Sequence, residues 1–371
     1  MQPGRWKTAF LRGLIPLLMI CLAGSGSSVA LAEAAPGAVV DPAEVRLSLS
    51  GESVRREMGH FEAYLDGLMA AQFRDYRLAG ATFALVRDGR LALSKGYGVA
   101  SLENGEPVDP ARTLFRPGSV SKLFTWTAVM QLAEQGRLDL QAPVSRYVDQ
   151  FEIPEAFGVP MTMIHILTHT PGLEDGAAGF LFAASETDLV GLAESLAAHI
   201  PAQVRPPGTY ASYSNWAVAL AGLVVANISG MAFEDYVAVN ILAPLGMSFA
   251  TFEEPLPARL APYMAQGYIT EYGGVEPMGF EFISDFGPAG ALSASAEDMA
   301  RFIIAHVSGG ATAEGRILSP ETTARMHTRL FVHDDRVAGM AYGFYEILRN
   351  GKRFVGHAGD TIAFHSELWR R

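Results

Sequence analysis

Apolar residues recur at helical spacing between Glu57 and Phe73, with Phe61, Tyr64, Leu65, Leu68, Met69 and Phe73 on one stripe. That spacing predicts an amphipathic helix. The period then shortens. Ala79–Val86 reads as a strand, Asp88-Gly89 as a tight hairpin turn, and Leu91–Val99 as the returning strand. Phe115-Arg116-Pro117-Gly118 has turn chemistry. Ser121–Gln135 follows with apolar Leu123, Phe124, Trp126, Val129, Met130 and Leu132, a second helix that Gly136-Arg137-Leu138-Asp139-Leu140 closes. Thr162–His169 predicts a short helix stopped by Pro171-Gly172, and residues 186–200 predict another. Past Pro206-Pro207-Gly208, Trp216–Ile228 is apolar throughout but too short to span a bilayer, so it reads as a buried helix. Phe233–Leu242 is helical up to Pro244 and Gly246, and Gly287-Pro288-Ala289-Gly290 is a tight loop. Ser295–Val307 is amphipathic, with Ser295 as N-cap and Asp298 three residues on. Tyr342–Leu348, Asn350-Gly351 and Arg353–His357 form a final hairpin.

Composition adds bounds to this pattern. The 371 residues are 49% hydrophobic and 18% charged, with 38 Gly and 21 Pro. That leaves room for a large core in one domain or two intertwined lobes. The net charge of -11 comes with no basic run and no aromatic-basic interleaving, which argues against nucleic acid as a partner. The N-terminus has the plan of an export signal. Arg5, Lys7 and Arg12 form a basic region, Gly13–Ala23 an apolar one, and Ala30-Leu31-Ala32 a small-residue cleavage site. Residues 1–32 are therefore expected to be a cleaved signal peptide and residues 33–52 an Ala/Pro-rich linker. The mature chain then has no stable membrane span and works in the periplasm or outside the cell. Cleavage removes three positive charges and no negative one, taking the net charge from -11 to -14. The single cysteine, Cys21, lies inside the signal, so the mature chain has no disulfide and no thiol nucleophile.

The stretch richest in chemistry is Ser119-Val120-Ser121-Lys122. In a helix, Ser119 and Lys122 lie on one face. A serine hydroxyl is a weak nucleophile until a neighbouring base takes its proton, and a lysine amine kept partly neutral can be that base. At a helix start, unpaired backbone N–H groups stand nearby to hold a developing oxyanion. The plainer reading is a serine N-cap followed by a surface lysine. His165 and His169 are four apart, the spacing of a shared metal, but no third ligand stands at a useful distance in sequence. Capping and core contacts suit them better, and neither metal nor cofactor is expected.

Ser119-x-x-Lys122, Tyr213-Ser214-Asn215 and His357-Ala358-Gly359 occur in this order, and with them the chain resembles the serine beta-lactamase and penicillin-binding-protein family. The branch it is most similar to holds class C beta-lactamases, D,D-carboxypeptidases and esterases. Thr168-His169-Thr170-Pro171-Gly172-Leu173 and Gly290-Ala291-Leu292-Ser293-Ala294-Ser295 add to the resemblance. It implies an α/β (α+β) fold, an antiparallel sheet flanked by helices with an all-helical lobe beside it, over residues 53–371, and a site in the cleft between the lobes. It also implies roles. Ser119 attacks an acyl carbonyl, Lys122 holds the proton network, and Tyr213 exchanges protons with the serine and the leaving group. Asn215 hydrogen-bonds Lys122 and the substrate amide. His357 stands where many relatives carry a lysine, and Gly359 and Asp360 border the substrate. The N–H groups of Ser119 and Asp360 form the oxyanion hole.

The resemblance thus implies an exported serine hydrolase acting through an acyl-enzyme. Its substrate is a small molecule or peptide: a D-Ala-D-Ala peptide, a beta-lactam or a small ester. The other reading is a catalytically silent penicillin-binding or sensor domain of the same fold. Two departures stand out. Histidine at 357 replaces a permanent cation with a group that titrates near neutrality in water. The chain also ends twelve residues after Gly359, where the family has further strand and a C-terminal helix. A truncated form of a longer frame, prone to aggregate and largely inactive, is therefore the expectation.

Overall fold

The computed structural model describes residues 51–174, 181–271 and 274–371. The expected signal peptide and nearly all of the linker lie outside them. Helix α1 (Gly51–Tyr76) is longer than its apolar stripe predicts and takes in the last two linker residues. It lies on the hairpin of β1 (Gly80–Arg87) and β2 (Arg90–Gly98). Asp88 and Gly89 both take positive φ at the turn, 52° and 69°, which is why this dipeptide closes a two-residue hairpin.

Strand β1 has period-two burial with a partner on each face. Ala81, Phe83 and Leu85 pack against Leu65 and Met69 of α1, while Ala84 and Val86 face the main core. Each large apolar side chain buried this way contributes about 1.5–3 kcal/mol. The main core is built on α2 (Lys122–Glu134), which is buried from Lys122 through Leu132. A helix apolar all round belongs inside. After it come α3 (Met163–Leu167) and α4 (Leu192–Ala198). The helix expected over 186–200 is thus only seven residues long, because a 3-10 turn at Glu186–Asp188 interrupts it.

Helix α5 (Asn215–Ser229) is the buried apolar helix foreseen from sequence and packs on α2. It is followed by α6 (Phe233–Val237), which widens into a π turn over Ala238–Leu242. Among the described residues, no single helix is long and apolar enough to cross a membrane. Short strands β3 (Ala250–Thr251), β4 (Gly267–Glu271), β5 (Gly274–Met278) and β6 (Ser293–Ala294) then join two small ladders, β3 with β6 and β4 with β5. Helix α7 (Ala296–Val307) lies against β1 and β2, and Ser295 caps it by accepting from the Asp298 amide at 3.3 Å. Helix α8 (Pro320–Met326) precedes the last sheet, ordered β7 (Tyr345–Arg349), β8 (Lys352–Asp360), β9 (His365–Arg370) and antiparallel throughout. The start of β1 and the turn into β9 line a common cleft of about 780 Å³, with Phe115 and Tyr268 among its walls. Among the described residues β1 and β9 share no ladder.

Candidate active site

Three segments far apart in sequence meet at the start of α2. The first is the nucleophile turn. Gly118 has φ of +51°, and a Cβ there would come within 2.8–2.9 Å of the Asp360 backbone. Only glycine suits both the dihedral and the space. Gly359 answers it from β8, where a Cβ would stand 2.0 Å from the Pro117 carbonyl and 2.9 Å from the amide nitrogens of Ser119 and Val120. Turn and strand therefore meet backbone to backbone. The Ser119 and Asp360 amides, which the resemblance assigns to the oxyanion hole, both lie at this contact.

Behind the turn, Ser121 donates from Oγ to the Gly118 carbonyl (2.5 Å) and accepts from the Leu292 amide (3.2 Å). Arg116 is wholly buried, as is the Glu254 carboxylate that pairs with it. Arg116 also donates to Ser293 Oγ (3.3 Å), and Glu254 accepts from the Ile283 amide (2.6 Å). One buried ion pair thus ties the nucleophile turn to the pocket wall.

Lys122 is no surface lysine. It is fully buried and donates from Nζ to Ser119 Oγ at 2.8 Å and to the Ala289 carbonyl at 2.6 Å. The second segment delivers Tyr213, whose hydroxyl donates to the same Ser119 Oγ at 2.7 Å. Lys122 Nζ stands 4.9 Å from the centre of the Tyr213 ring. Ser214, next in sequence, caps α5 by accepting from the Ala217 amide at 3.1 Å. Asn215 is then the first residue of α5 and lines the pocket of about 370 Å³ above Ser119.

The third segment is β8. His357 lines the pocket but is 2% exposed, and its Nδ1 bonds the Ala358 carbonyl. Its ring stacks on Tyr345 with centroids 4.4 Å apart. The sequence expects an imidazole titrating near neutrality. Burial, and after it the Lys122 charge, instead push its pKa down to about 3 against the opposing pull of the Ala358 carbonyl and Asp360, so the ring stays neutral. Asp360 is exposed at the rim and pairs with His365 Nδ1 at 2.6 Å.

Ser119, Tyr213, Asn215, His357 and Asp360 all line this one pocket, Lys122 lies beneath it, and Gly359 lies at the contact of turn and strand. His165 and His169 do not converge on a shared ligand. His165 Nδ1 accepts from the Thr162 amide (3.1 Å) at the start of α3, and His169 Nδ1 faces the Ser214 amide (3.4 Å). Sequence reasoning missed Tyr345, whose hydroxyl burial pushes up beyond the ordinary tyrosine range. It also missed Glu281, a buried carboxylate that accepts from the Ile362 amide (2.6 Å) and Thr361 Oγ1 (2.8 Å) just past Asp360. The loop stretches 174–186 and 263–286 supply Leu181, Phe182 and Ile283 to the pocket. Residues 175–180 and 272–273 of those stretches lie outside the described residues.

With this geometry in place, the chain can be set beside known proteins. The family model "Beta-lactamase" matches residues 61–371. Esterase EstB of Burkholderia gladioli is 31% identical over 228 residues, 58% of this chain and 58% of that protein. Penicillin-binding protein 4 of Amycolatopsis lactamdurans is 28% identical over 303 residues, 77% of this chain and 73% of its own. The octameric penicillin-binding protein homologue from Pyrococcus abyssi superposes with a TM-score of 0.69 at 26% identity, over 80% of this chain and 68% of that one. The chain belongs to the beta-lactamase family, the serine hydrolase fold shared by penicillin-binding proteins, esterases and beta-lactamases.

Proposed function

We propose that the protein hydrolyses esters or amides of uncharged, largely apolar acyl groups through an acyl-enzyme on Ser119. The observation that carries the substrate class is the charge of the pocket. Its described lining contains no lysine or arginine. His357 is neutral, Asp360 puts an acidic group at the rim, and Leu181, Phe182, Ile283 and Tyr345 supply apolar surface. A substrate carboxylate finds no lysine or arginine on the lining, Lys122 being buried beneath it against Ser119 and the Ala289 carbonyl, and meets a like charge at the rim, whereas an uncharged acyl chain is desolvated favourably.

Ser119 Oγ attacks the carbonyl carbon as its proton passes to Lys122 or Tyr213, whichever of the amine and the phenol has given up its own. Both stand within 2.8 Å. Charge builds on the carbonyl oxygen beside the Ser119 and Asp360 amides. The C–O or C–N bond breaks, and the leaving alcohol or amine takes a proton from Tyr213, which Lys122 replaces where the amine was the acceptor. Water then attacks the ester on Ser119 and frees the acid and the serine. Two donors converging on one serine oxygen support turnover over a silent sensor role, which needs no proton network.

Export belongs to the same proposal. It rests on the Arg5, Lys7 and Arg12 region, the Gly13–Ala23 stretch and the Ala30-Leu31-Ala32 site, and N-terminal sequencing of secreted protein starting near Glu33 would support it. For the chemistry, p-nitrophenyl esters, nitrocefin and a D-Ala-D-Ala peptide are compared on one preparation. The expected result is ester turnover with kcat/KM well above that on either carboxylate substrate. A preference for nitrocefin or the peptide overturns the substrate class.

A further inference from the structure

Tyr213 has to be held against Ser119, yet residues 211–214 belong to no helix or strand. What holds them is His169. Its carbonyl accepts from the Ser212 amide at 2.6 Å, and its ring Nδ1 faces the Ser214 amide at 3.4 Å. Tyr213 is thus bracketed on both sides by one residue. The two rings also pack against each other, with centroids 4.6 Å apart and planes tilted by 39°.

His169 adopts this position at a cost. Its φ is +52°, in the left-handed region that few non-glycine residues visit. The ring is 2% exposed, and Nε2 has no hydrogen-bond partner among the described residues. Buried orphan nitrogens are rare and call for a reason. The Ser214 amide assigns the tautomer, since Nδ1 accepts only when the proton sits on Nε2.

We infer that His169 is a positioning residue that sets the Tyr213 hydroxyl on Ser119 by clamping both neighbours of the tyrosine and backing its ring. The inference rests on the acyl-transfer reading above. His169 does not touch the reacting atoms; it acts through Tyr213. Burial first, with the Lys122 charge adding to it, keeps its ring neutral, which preserves the acceptor at Nδ1.

The test is a double-mutant cycle on acylation rate, read with a fluorophosphonate probe and with p-nitrophenyl acetate. His169→Asn suits the left-handed backbone and puts an amide oxygen where Nδ1 stood, so it should stay within about threefold of the parent. His169→Gly suits the same backbone but removes both acceptor and ring. It should lower kcat about a hundredfold, the scale of a misplaced catalytic group, with little change in KM. In a Tyr213→Phe background, His169→Gly should cost nothing further. An equal loss in both backgrounds, or a fully active His169→Gly, overturns the inference. If His169→Gly does not fold, His169→Gln, which fills the space without an acceptor at that atom, takes its place. Failure of both to fold overturns it too, because His169 would then hold the domain and not the tyrosine. If the parent protein shows no labelling that depends on Ser119, the acyl-transfer reading is what fails. Labelling of the parent with an additive cycle rejects His169 alone.

Discussion

Ser119 and Lys122 share one turn of chain, so local spacing is enough to bring them to 2.8 Å. That part of the site is legible from sequence. Tyr213 arrives from 94 residues away, and no periodicity links it to the serine; only its place in an ordered set of motifs marks it. Tyr345 and Glu281 carry no such mark, and the Thr168–Leu173 stretch marks His169 without showing its task, since what they do depends on packing between separated segments. Ser119→Ala should abolish fluorophosphonate labelling and leave the circular dichroism spectrum unchanged. Labelling at the parent rate would place the nucleophile elsewhere. Lys122→Ala should lose roughly a hundred- to ten-thousand-fold in kcat, the range of general acid–base catalysis. His357 titrates far below neutrality, so ester kcat/KM should show no inflection near pH 6.5 that disappears in His357→Gln. Finding one would make the imidazole a working titrating group.

At the scale of elements, the hairpins are the most legible parts. Asp88-Gly89 and Asn350-Gly351 both adopt the paired positive φ that such dipeptides favour. Helix lengths are less legible. The stripe on α1 stops short of its ends, and α4 is much shorter than its apolar window, because tertiary contacts decide where a weakly capped helix stops. The approach of β8 to the nucleophile turn is written only as glycines, whose reason appears when the two backbones meet. Gly359→Ala should therefore separate turn and strand, since its Cβ would sit 2.0 Å from the Pro117 carbonyl. The expected outcome is a loss of about a hundredfold in kcat, measured with p-nitrophenyl acetate; near-parent activity would mean the contact can be relieved at no cost. Arg116→Met removes one partner of a buried pair and leaves Glu254 charged and dry. It should destabilise the fold by about 3–5 kcal/mol in urea unfolding, and a change below about 1 kcal/mol would show that Glu254 finds other partners.

For the molecule as a whole, buried histidines set the response to acid. His306 and His357 are pushed down to about 3, and His169 and His327 also lie well below the ordinary value, in each case first through burial. His306 and His327 touch, Nδ1 to Nε2 at 3.2 Å, so they titrate as a pair. Below the unfolded value near 6.5, the unfolded chain binds protons that the folded one refuses, so stability falls with pH from about 6.5 towards 3. Each histidine contributes up to about 1.4 kcal/mol per pH unit in that window. Asp298, raised to about 6 by burial, works in the opposite direction and offsets part of the loss. The urea midpoint should drop steeply between pH 6 and pH 4, and a flat midpoint would show that these rings take up protons when folded. Helix α2 behaves differently from the surface elements. Its residues from Lys122 to Leu132 are buried on every side, so no partial opening can wet its amides without dismantling the core around them. In deuterium exchange those amides should be the last to label, at the rate of global unfolding, while the largely exposed α1 labels early. Ser119 is then mounted at the end of the slowest-exchanging segment of the chain, and exchange in α2 as fast as in α1 would show that the nucleophile's support opens independently of the rest.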